Sequence, residues 1–227
     1  MNTVRFDTYN SFEDFGLVLS GKSIGAPAPK LLSVDIPCGD GALDYTDYFG
    51  RTNYYNRELS FDFTVAESPR EFLTVYSRLQ NLLNGRKMKI TLSEDPLFYY
   101  VGRVSVDDWK SEKNIGKVTI KVNAEPYKLK HALTVIYRTV DTETFITCHN
   151  LRKAVIPKIT ITTDGGKADI YTFKQSGGNR ILLAAGVTGV CPNSPVFEEG
   201  ENIIIVRPTA GATLPVGVRI EYQEGGL

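Results

Sequence analysis

The sequence lacks the features that mark several large classes of protein. Its longest apolar run, residues 181–187, is far short of the ~18 residues that a membrane-spanning helix needs. Its 26 basic and 26 acidic residues cancel, so no net field draws the chain to nucleic acid or to an anionic membrane. Residues 1–20 show no basic-then-apolar signal pattern. We therefore expect no membrane insertion, no specific DNA binding and synthesis in the cytosol.

Cysteine and histidine are also scarce, which limits the chemistry the chain can support. Cys38, Cys148 and Cys191 are an odd number at long spacings, which does not make a disulfide framework. No Cys-x-x-Cys or His-x₃-His spacing gathers metal ligands locally. No Gly-x-Ser-x-Gly motif is present, and two histidines leave little material for a catalytic triad. We expect free thiols, no metal or other cofactor, and no enzymatic activity.

One segment matches the phosphate-binding P-loop formally, with Gly16, four residues, and then Gly21, Lys22 and Ser23. A working P-loop follows a buried strand and opens a long helix, whose first amides hold the phosphates. Here the prolines at 27 and 29 follow too closely for such a helix to begin. The sequence therefore predicts that the match is accidental.

The chain instead shows the alternation of apolar and polar residues that is typical of half-buried strands. The alternation is clearest at 59–65, 87–92 and 117–122, and further strands are expected at 98–106, 133–138, 156–162, 203–206 and 216–222.

A single helix is predicted over residues 68–84. Ser68 can cap it, Pro69 suits the first helical position, and Glu71 completes a capping box. Gly85 supplies the C-terminal stop. Because no alternation of strands and helices follows, an antiparallel β architecture is favoured over a parallel nucleotide-binding fold.

The chain is predicted to form two domains. Residues 1–130 hold the helix and most of the aromatic side chains, and residues 131–227 hold short strands separated by Gly-rich turns, the pattern of a small β-sandwich.

Charge is distributed unevenly although it sums to zero. Residues 35–71 hold eight acids and three bases, and residues 86–138 hold eleven bases and six acids, giving net charges of −5 and +5. These stretches are either two solvated faces of one domain or complementary patches that meet head to tail between copies, an arrangement that can close into a ring. An aromatic cluster lies within the acidic stretch, and it either anchors a partner or packs on its own domain: Tyr45, Tyr48, Phe49, Tyr54 and Tyr55.

Several short motifs, in a fixed order, resemble one known family. They are SFEDFGL at 11–17, PAPK at 27–30, VDIP at 34–37, GDGALD at 39–44, YYNR at 54–57, PLFYYVGRV at 96–104, AEPYK at 124–128 and IEYQEGGL at 220–227. In this order and spacing, over nearly the whole chain, the sequence is similar to the distal tail proteins of siphophages and related prophages of Gram-positive bacteria.

The resemblance implies a mainly β fold. Residues 1–130 would form a β-sandwich-like domain with one helix and a protruding hairpin, and residues 131–227 a galectin-like β-sandwich. Six copies would form a ring, a structural hub at the virion tail tip. The ring would join the tail tube protein to a tail-associated fibre protein and to receptor-binding proteins, and DNA would pass through it without being read.

The resemblance also implies that residues 35–57 form the hairpin that contacts the neighbouring subunit. The candidate subunit-contact residues are Asp35, Gly39, Asp40, Gly41, Asp44, Tyr45, Tyr48, Phe49, Gly50 and Arg57. In this interpretation the aspartates pair with bases of a neighbour, the aromatic residues are apolar anchors, and the glycines permit tight turns.

An alternative function is a carbohydrate-binding adhesion module that contacts the host cell wall through the C-terminal half. Fold analogy alone cannot establish a sugar site. Residues 130–227 contain no tryptophan, the usual stacking platform, so we expect no sugar site there.

Overall fold

The computed structural model describes residues 2–48, 50–65, 71–112, 115–173 and 178–227. The chain divides into two compact units, Met1–Lys128 with Leu227, and Leu129–Gly226. Both units are antiparallel β structures, and the described residues contain one short helix, which confirms the predicted fold class.

The first unit is built on one large antiparallel sheet. Its elements are β1 (Val4–Phe6), β2 (Tyr9–Asn10), β3 (Leu17–Ile24), β4 (Ser33–Asp35), β5 (Ala42–Asp44), β6 (Arg57–Val65), α1 (Phe72–Leu82), β7 (Lys87–Leu92), β8 (Phe98–Val106), β9 (Lys110–Glu112) and β10 (Ile115–Ala124). The main sheet has the order β2-β1-β7-β8-β10-β6-β3, and β9 pairs with β10. Strands β4 and β5 form a separate two-stranded sheet.

The alternation read from the sequence sets which face of this sheet is buried. On β6 and β10 the inward apolar residues pair across the strands, as in Phe61 with Ile120 and Phe63 with Val118. All four side chains are buried, and the polar residues between them face outward. Strands of period two with one apolar face leave the opposite face to charged residues.

Helix α1 covers part of this core with its buried residues Phe72, Val75 and Leu79. It is shorter than predicted. Glu71 occupies the N-cap position itself and makes no side-chain capping bond, so its capping-box role is wrong. The predicted cap at 68 and the proline at 69 lie outside the described residues.

The C-terminal end of α1 also differs from the prediction by two residues. The helix ends at Leu82 because the chain turns into the sheet. Gly85 takes a φ of +74° there, and its N–H donates to the Val104 carbonyl at 2.8 Å. The C-cap is Leu83, whose N–H donates to the Leu79 carbonyl, so Gly85 forms the turn that follows the helix and is not its cap.

The second unit contains two antiparallel sheets. Its strands are β11 (Lys128–Lys130), β12 (Thr134–Val140), β13 (Thr144–Asn150), β14 (Lys158–Ile161), β15 (Ala168–Phe173), β16 (Arg180–Val187), β17 (Gly200–Pro208), β18 (Val216–Tyr222) and β19 (Gly225–Gly226). One sheet has the order β12-β18-β14 and the other β13-β17-β15-β16. Buried residues of both sheets, such as Ile159, Val218, Ile146 and Ile204, belong to a single core, as in a β-sandwich.

Candidate assembly surface

A long hairpin extends from one edge of the first unit's sheet. We call residues 27–56 the arm. The arm continues the pairing of edge strand β3 with β6, since the Lys30 N–H donates to the Asn53 carbonyl at 2.7 Å and Pro29 bridges Tyr54. Residues 31–50, the part of the arm farther along the hairpin from β3 and β6, contain β4 and β5. We call them the arm tip. The predicted hairpin is therefore present.

Hydrogen bonds across the arm hold the arm tip in shape. The Tyr45 N–H donates to the Leu32 carbonyl at 2.7 Å, and the Leu32 N–H donates to Thr46 Oγ1 at 3.1 Å. The Thr46 N–H donates to Asp44 Oδ1 at 2.8 Å. Hydrogen bonds from the Thr46 side chain and backbone keep the pKa of Asp44 below its usual range, so this carboxylate is ionised at neutral pH.

The turns of the arm tip use the glycines that the sequence marks. Gly41 and Gly50 have φ values of +79° and +83°, which L residues with a side chain rarely adopt. At Gly39 an added Cβ would lie 2.9 Å from Cγ2 of the Ile36 side chain, which would have to shift.

The arm tip exposes an unusual amount of apolar surface. Leu31 and Tyr48 are 73% and 74% exposed. Further exposed apolar side chains on the arm are Leu32, Val34, Ile36, Leu43, Tyr45 and Tyr55. Single exposed apolar residues are ordinary, whereas a run of them along one hairpin is typical of a surface that binds another molecule.

The arm tip is also strongly acidic. It contains four aspartates, at positions 35, 40, 44 and 47, and residues 31–50 contain no lysine or arginine. The tip therefore carries a net charge of −4 on an otherwise apolar hairpin.

The structure places eight of the ten candidate subunit-contact residues together on the arm tip. They are Asp35, Gly39, Asp40, Gly41, Asp44, Tyr45, Tyr48 and Gly50. Phe49 lies outside the described residues. Tyr45 and Tyr48 contact each other edge to face, with ring centroids 6.2 Å apart.

Arg57 is not part of this surface. It is buried at the base of the arm, where its Nε donates to the Gly25 carbonyl at 2.7 Å and its Nη1 to the Pro126 carbonyl at 3.3 Å. Its guanidinium lies over the Tyr100 ring, 5.3 Å from the centroid. These contacts hold the first residue of β6 where the arm returns to the sheet.

The aliphatic residues of the arm, above all Leu31, Leu32, Val34 and Ile36, were not among the predicted contact residues. Apolar residues read from sequence are assigned to a core by default. A usable signal was that these four lie in a short segment bounded by the prolines at 29 and 37.

The outward face of the main sheet has the opposite charge to the arm tip. We call the outward side chains of β6, β7, β8 and β10 the basic face. It carries five bases and two acids, a net charge of +3: Lys87, Lys89, Arg103, Lys117 and Lys121, with Glu58 and Asp62. All seven are exposed.

A groove of about 660 Å³ crosses the basic face, lined by Lys87, Arg103 and Lys121 among others. At its rim Lys87 Nζ lies 2.6 Å from Glu125 Oε1, and Lys121 Nζ lies 2.8 Å from Asp107 Oδ2. The hydrogen bond and charge of Asp107 raise the pKa of Lys121, which stays protonated.

The second unit has a different surface, on the outward face of the β13-β17-β15-β16 sheet. Phe145 and Phe173 stack with ring centroids 6.3 Å apart, and Arg180 lies over Phe145 while pairing with both carboxylate oxygens of Glu143 at 3.0 and 2.6 Å. The Arg207 guanidinium likewise lies over the ring of Tyr171. The guanidinium groups occupy ring faces that a sugar would stack on.

The P-loop match of the sequence does not form a P-loop. The P-loop-like residues Gly21, Lys22 and Ser23 lie in β3, paired with β6, so the segment is a strand and not a loop. Lys22 pairs with Glu94. Among residues 2–48, 50–65, 71–112, 115–173 and 178–227, no three His, Cys, Asp or Glu side chains group as metal ligands. Within the same described ranges no helix is long and apolar enough to cross a membrane.

The three cysteines are free thiols, as predicted. Cys38 is exposed at the arm tip, whereas Cys148 and Cys191 are buried in the core of the second unit. Burial raises the pKa of Cys148 to about 11, and it raises the pKa of Cys191 as well.

Comparison with known proteins supports the fold. No family model matches the chain, and no curated protein sequence matches it. Among solved structures, the Dit protein of phage SPP1, described as a paradigm of the hub adsorption apparatus in phages that infect Gram-positive bacteria, matches over 100% of both chains. The identity is 14% and the TM-score 0.70.

A chain of the phage p2 baseplate in its activated conformation with strontium matches over 99% of this chain and 98% of its own. Its identity is 8% and its TM-score 0.39, so this second comparison carries no argument about fold. The chain thus has the fold of a Dit-type distal tail protein over its whole length, which confirms the fold expected from the sequence resemblance.

Proposed function

We propose that the protein is a structural hub of a phage tail tip, in which six copies form a ring through their first units. The ring joins the tail tube protein to the tail-associated fibre protein and to receptor-binding proteins, and each copy also carries the galectin-like sandwich of residues 131–227. DNA passes through the ring without base-specific contacts. The full-length match to a hub protein's fold supports this function.

The observation that carries the proposal is the arm. An exposed hairpin bearing eight exposed apolar side chains is costly to leave in water and gains stability when a second molecule covers it. A closed ring supplies that cover for every copy at once, because each arm meets the same surface of the next copy. The arm residues are therefore the subunit-contact residues of the proposed ring.

The proposal is tested by removing the apolar surface of the arm. The variant Leu31→Ser with Tyr48→Ser should shift the protein to monomers in sedimentation velocity, while thermal unfolding of the monomer stays within about 2 °C of the parent because both side chains are exposed. A matched control is Leu97→Ser with Tyr137→Ser, since these side chains are 67% and 54% exposed and lie off the arm. Normal assembly of the arm variant would contradict the proposal.

A second candidate function is carbohydrate binding by the second unit, for which the aromatic face around Phe145 and Tyr171 is the candidate site. Aromatic rings beside paired arginines and carboxylates can contact sugar hydroxyls. Because Arg180 and Arg207 cover these rings, we expect no binding to wall polysaccharides on a glycan array. Micromolar binding that is lost on Phe145→Ala would favour the adhesion module instead.

A further inference from the structure

We infer that strand β12 of the second unit is a docking edge, where an extended segment of a partner protein adds one strand to the β12-β18-β14 sheet. The inferred segment alternates apolar and polar side chains and carries a carboxylate opposite Arg138. The site lies within the second unit. The inference therefore goes beyond the proposed ring and does not depend on the arm or on the number of copies.

One side of β12 carries main-chain groups that point away from its sheet. The Thr162 N–H donates to the Gly217 carbonyl at 2.8 Å, so the main-chain groups of Gly217 face β14. On β12, Thr139 is the partner of Gly217, and Tyr137 and Val135 follow at alternate positions. Because hydrogen-bonded and non-hydrogen-bonded pairs alternate in an antiparallel ladder, the N–H and C=O groups of Val135, Tyr137 and Thr139 point outward from the edge.

These outward groups have no strand to pair with among the residues that the structure describes. A side chain engages one of them, since Arg138 Nη1 donates to the Tyr137 carbonyl at 3.0 Å. This contact agrees with the direction of the edge, because the Arg138 side chain is exposed and reaches the carbonyl from solvent. Main-chain N–H and C=O groups pair wherever a partner is within reach, so this edge is a template for one more strand.

Two other edge strands of the second unit are protected, in contrast to β12. On β14 the Ile161 N–H donates to the Gly189 carbonyl at 2.7 Å. On β16 the pairing is irregular, and Asn193 Nδ2 donates to the Leu183 carbonyl at 3.3 Å. Strand β12 instead pairs with β18 without a register shift and contains no proline and a single charged residue. Regular edges without such protection are where other strands pair.

The side chains at the open edge suit cross-strand packing. Val135 and Tyr137 are 48% and 54% exposed, and both lie on the outward face of the sheet. The Tyr137 hydroxyl lies 3.3 Å from Thr162 Oγ1, so the side chain reaches across Gly217 and is held against the sheet. Aromatic and β-branched residues stabilise strand pairs through contacts with the residues directly opposite. The incoming segment is therefore expected to place apolar residues opposite Val135 and Tyr137.

Charge favours a partner segment over a second copy of β12. Arg138 is exposed and forms no ion pair with the residues that the structure describes. Antiparallel pairing of two β12 strands about Tyr137 would make the two Arg138 side chains diagonal neighbours on one face, and β12 offers no carboxylate to separate them. A partner segment with an aspartate or glutamate opposite Arg138 supplies the missing charge.

A tethered strand tests the edge directly in the full-length protein. In the Cys38→Ser background, Asp141→Cys supplies an exposed attachment point just beyond the end of β12. The probe is the synthetic peptide Cys-Thr-Thr-Glu-Val-Thr-Ile-Thr, joined through a disulfide so that its glutamate falls opposite Arg138. Hydrogen exchange measured by mass spectrometry should slow by about tenfold or more at the outward-pointing amides of β12. The other amides of β12, which pair with β18, should exchange slowly with or without the probe.

Three controls separate strand pairing from crowding near the tether. N-methylation of the probe amides opposite Val135, Tyr137 and Thr139 should abolish the slowing, whereas N-methylation of the alternate amides, which face away from β12, should preserve it. The probe attached at Glu201→Cys, an exposed position on the interior strand β17, should leave exchange in β12 unchanged. Replacing the glutamate of the probe by lysine should weaken the slowing by roughly two- to fivefold.

The outcomes are distinct. No slowing with the first probe, or equal slowing with the probe methylated opposite the edge residues, would overturn the inference. Equal slowing by the glutamate and lysine probes would overturn the assigned carboxylate. If the outward-pointing amides exchange slowly in the concentrated protein without a probe and rapidly on dilution, a second copy occupies the edge, and the assigned partner is wrong. None of these results bears on the ring, which is read from the mass in solution.

Discussion

At the scale of the residue, the three cysteines show how burial divides chemically identical groups. Cys148 and Cys191 lie in an apolar core, where the thiolate is disfavoured and the pKa is raised. Cys38 stands in solvent at the arm tip, with a φ of +59°. The sequence predicted free thiols, but it could not rank their reactivity because that depends on burial.

We expect one thiol of three to react with a disulfide reagent in the dilute native protein at pH 8. With a pKa of about 11, Cys148 is about one part in a thousand thiolate at that pH, and both core thiols are shielded as well. Unfolding in guanidinium should release all three, and Cys38→Ser should leave none reactive in the native state. Fast reaction of two or three native thiols would contradict the assigned burial.

Arg57 shows why a residue's role in the site escapes sequence analysis. Its position beside the tyrosines at 54 and 55 made it a candidate contact residue. In the structure its partners are the carbonyls of Gly25 and Pro126 and the ring of Tyr100, which are distant in sequence. No local pattern announces such contacts, since backbone carbonyls are available at every position.

At the scale of the element, strands with a clean alternation were predictable. The strand at 87–92 matches β7, and the strand at 216–222 matches β18. Both have one buried face that the period-two pattern reports directly.

Strands of the second unit that break the pattern were missed. On β13, Phe145 faces outward at 52% exposure while polar Asn150 is buried, donating to the carbonyls of Lys153 and Phe197. On β16, Ile181 and Leu182 are both exposed although they are adjacent and apolar. Side-chain polarity and burial disagree in these strands, so the period-two signal is lost.

Helix α1 offers a matched test of packing within one element. Leu79 is fully buried against the core of the first unit, and Leu73 is 71% exposed on the same helix. Leu79→Ala should lower the free energy of unfolding by roughly 2–5 kcal/mol through lost burial and the cavity left behind. Leu73→Ala should change it by less than about 0.5 kcal/mol. Equal effects in urea denaturation would show that the helix does not pack as described.

At the scale of the whole molecule, the structure shows where the unevenly distributed charges of the sequence lie. Part of the acidic stretch at 35–71 lies on the arm tip, and part of the basic stretch at 86–138 lies on the outward face of the main sheet. The two interpretations left open by sequence, solvated faces or surfaces that meet between copies, differ in one respect. Only the second predicts that salt weakens self-association, because exposed pairs are screened at high ionic strength.

The central claim is that this chain builds a ring, and its mass in solution tests that claim most directly. Light scattering across a range of concentrations should find a particle of six copies of 25.2 kDa, about 151 kDa, with a ring visible by negative stain. A monomer of 25.2 kDa at every concentration, with or without the tail tube and fibre proteins, would contradict the account.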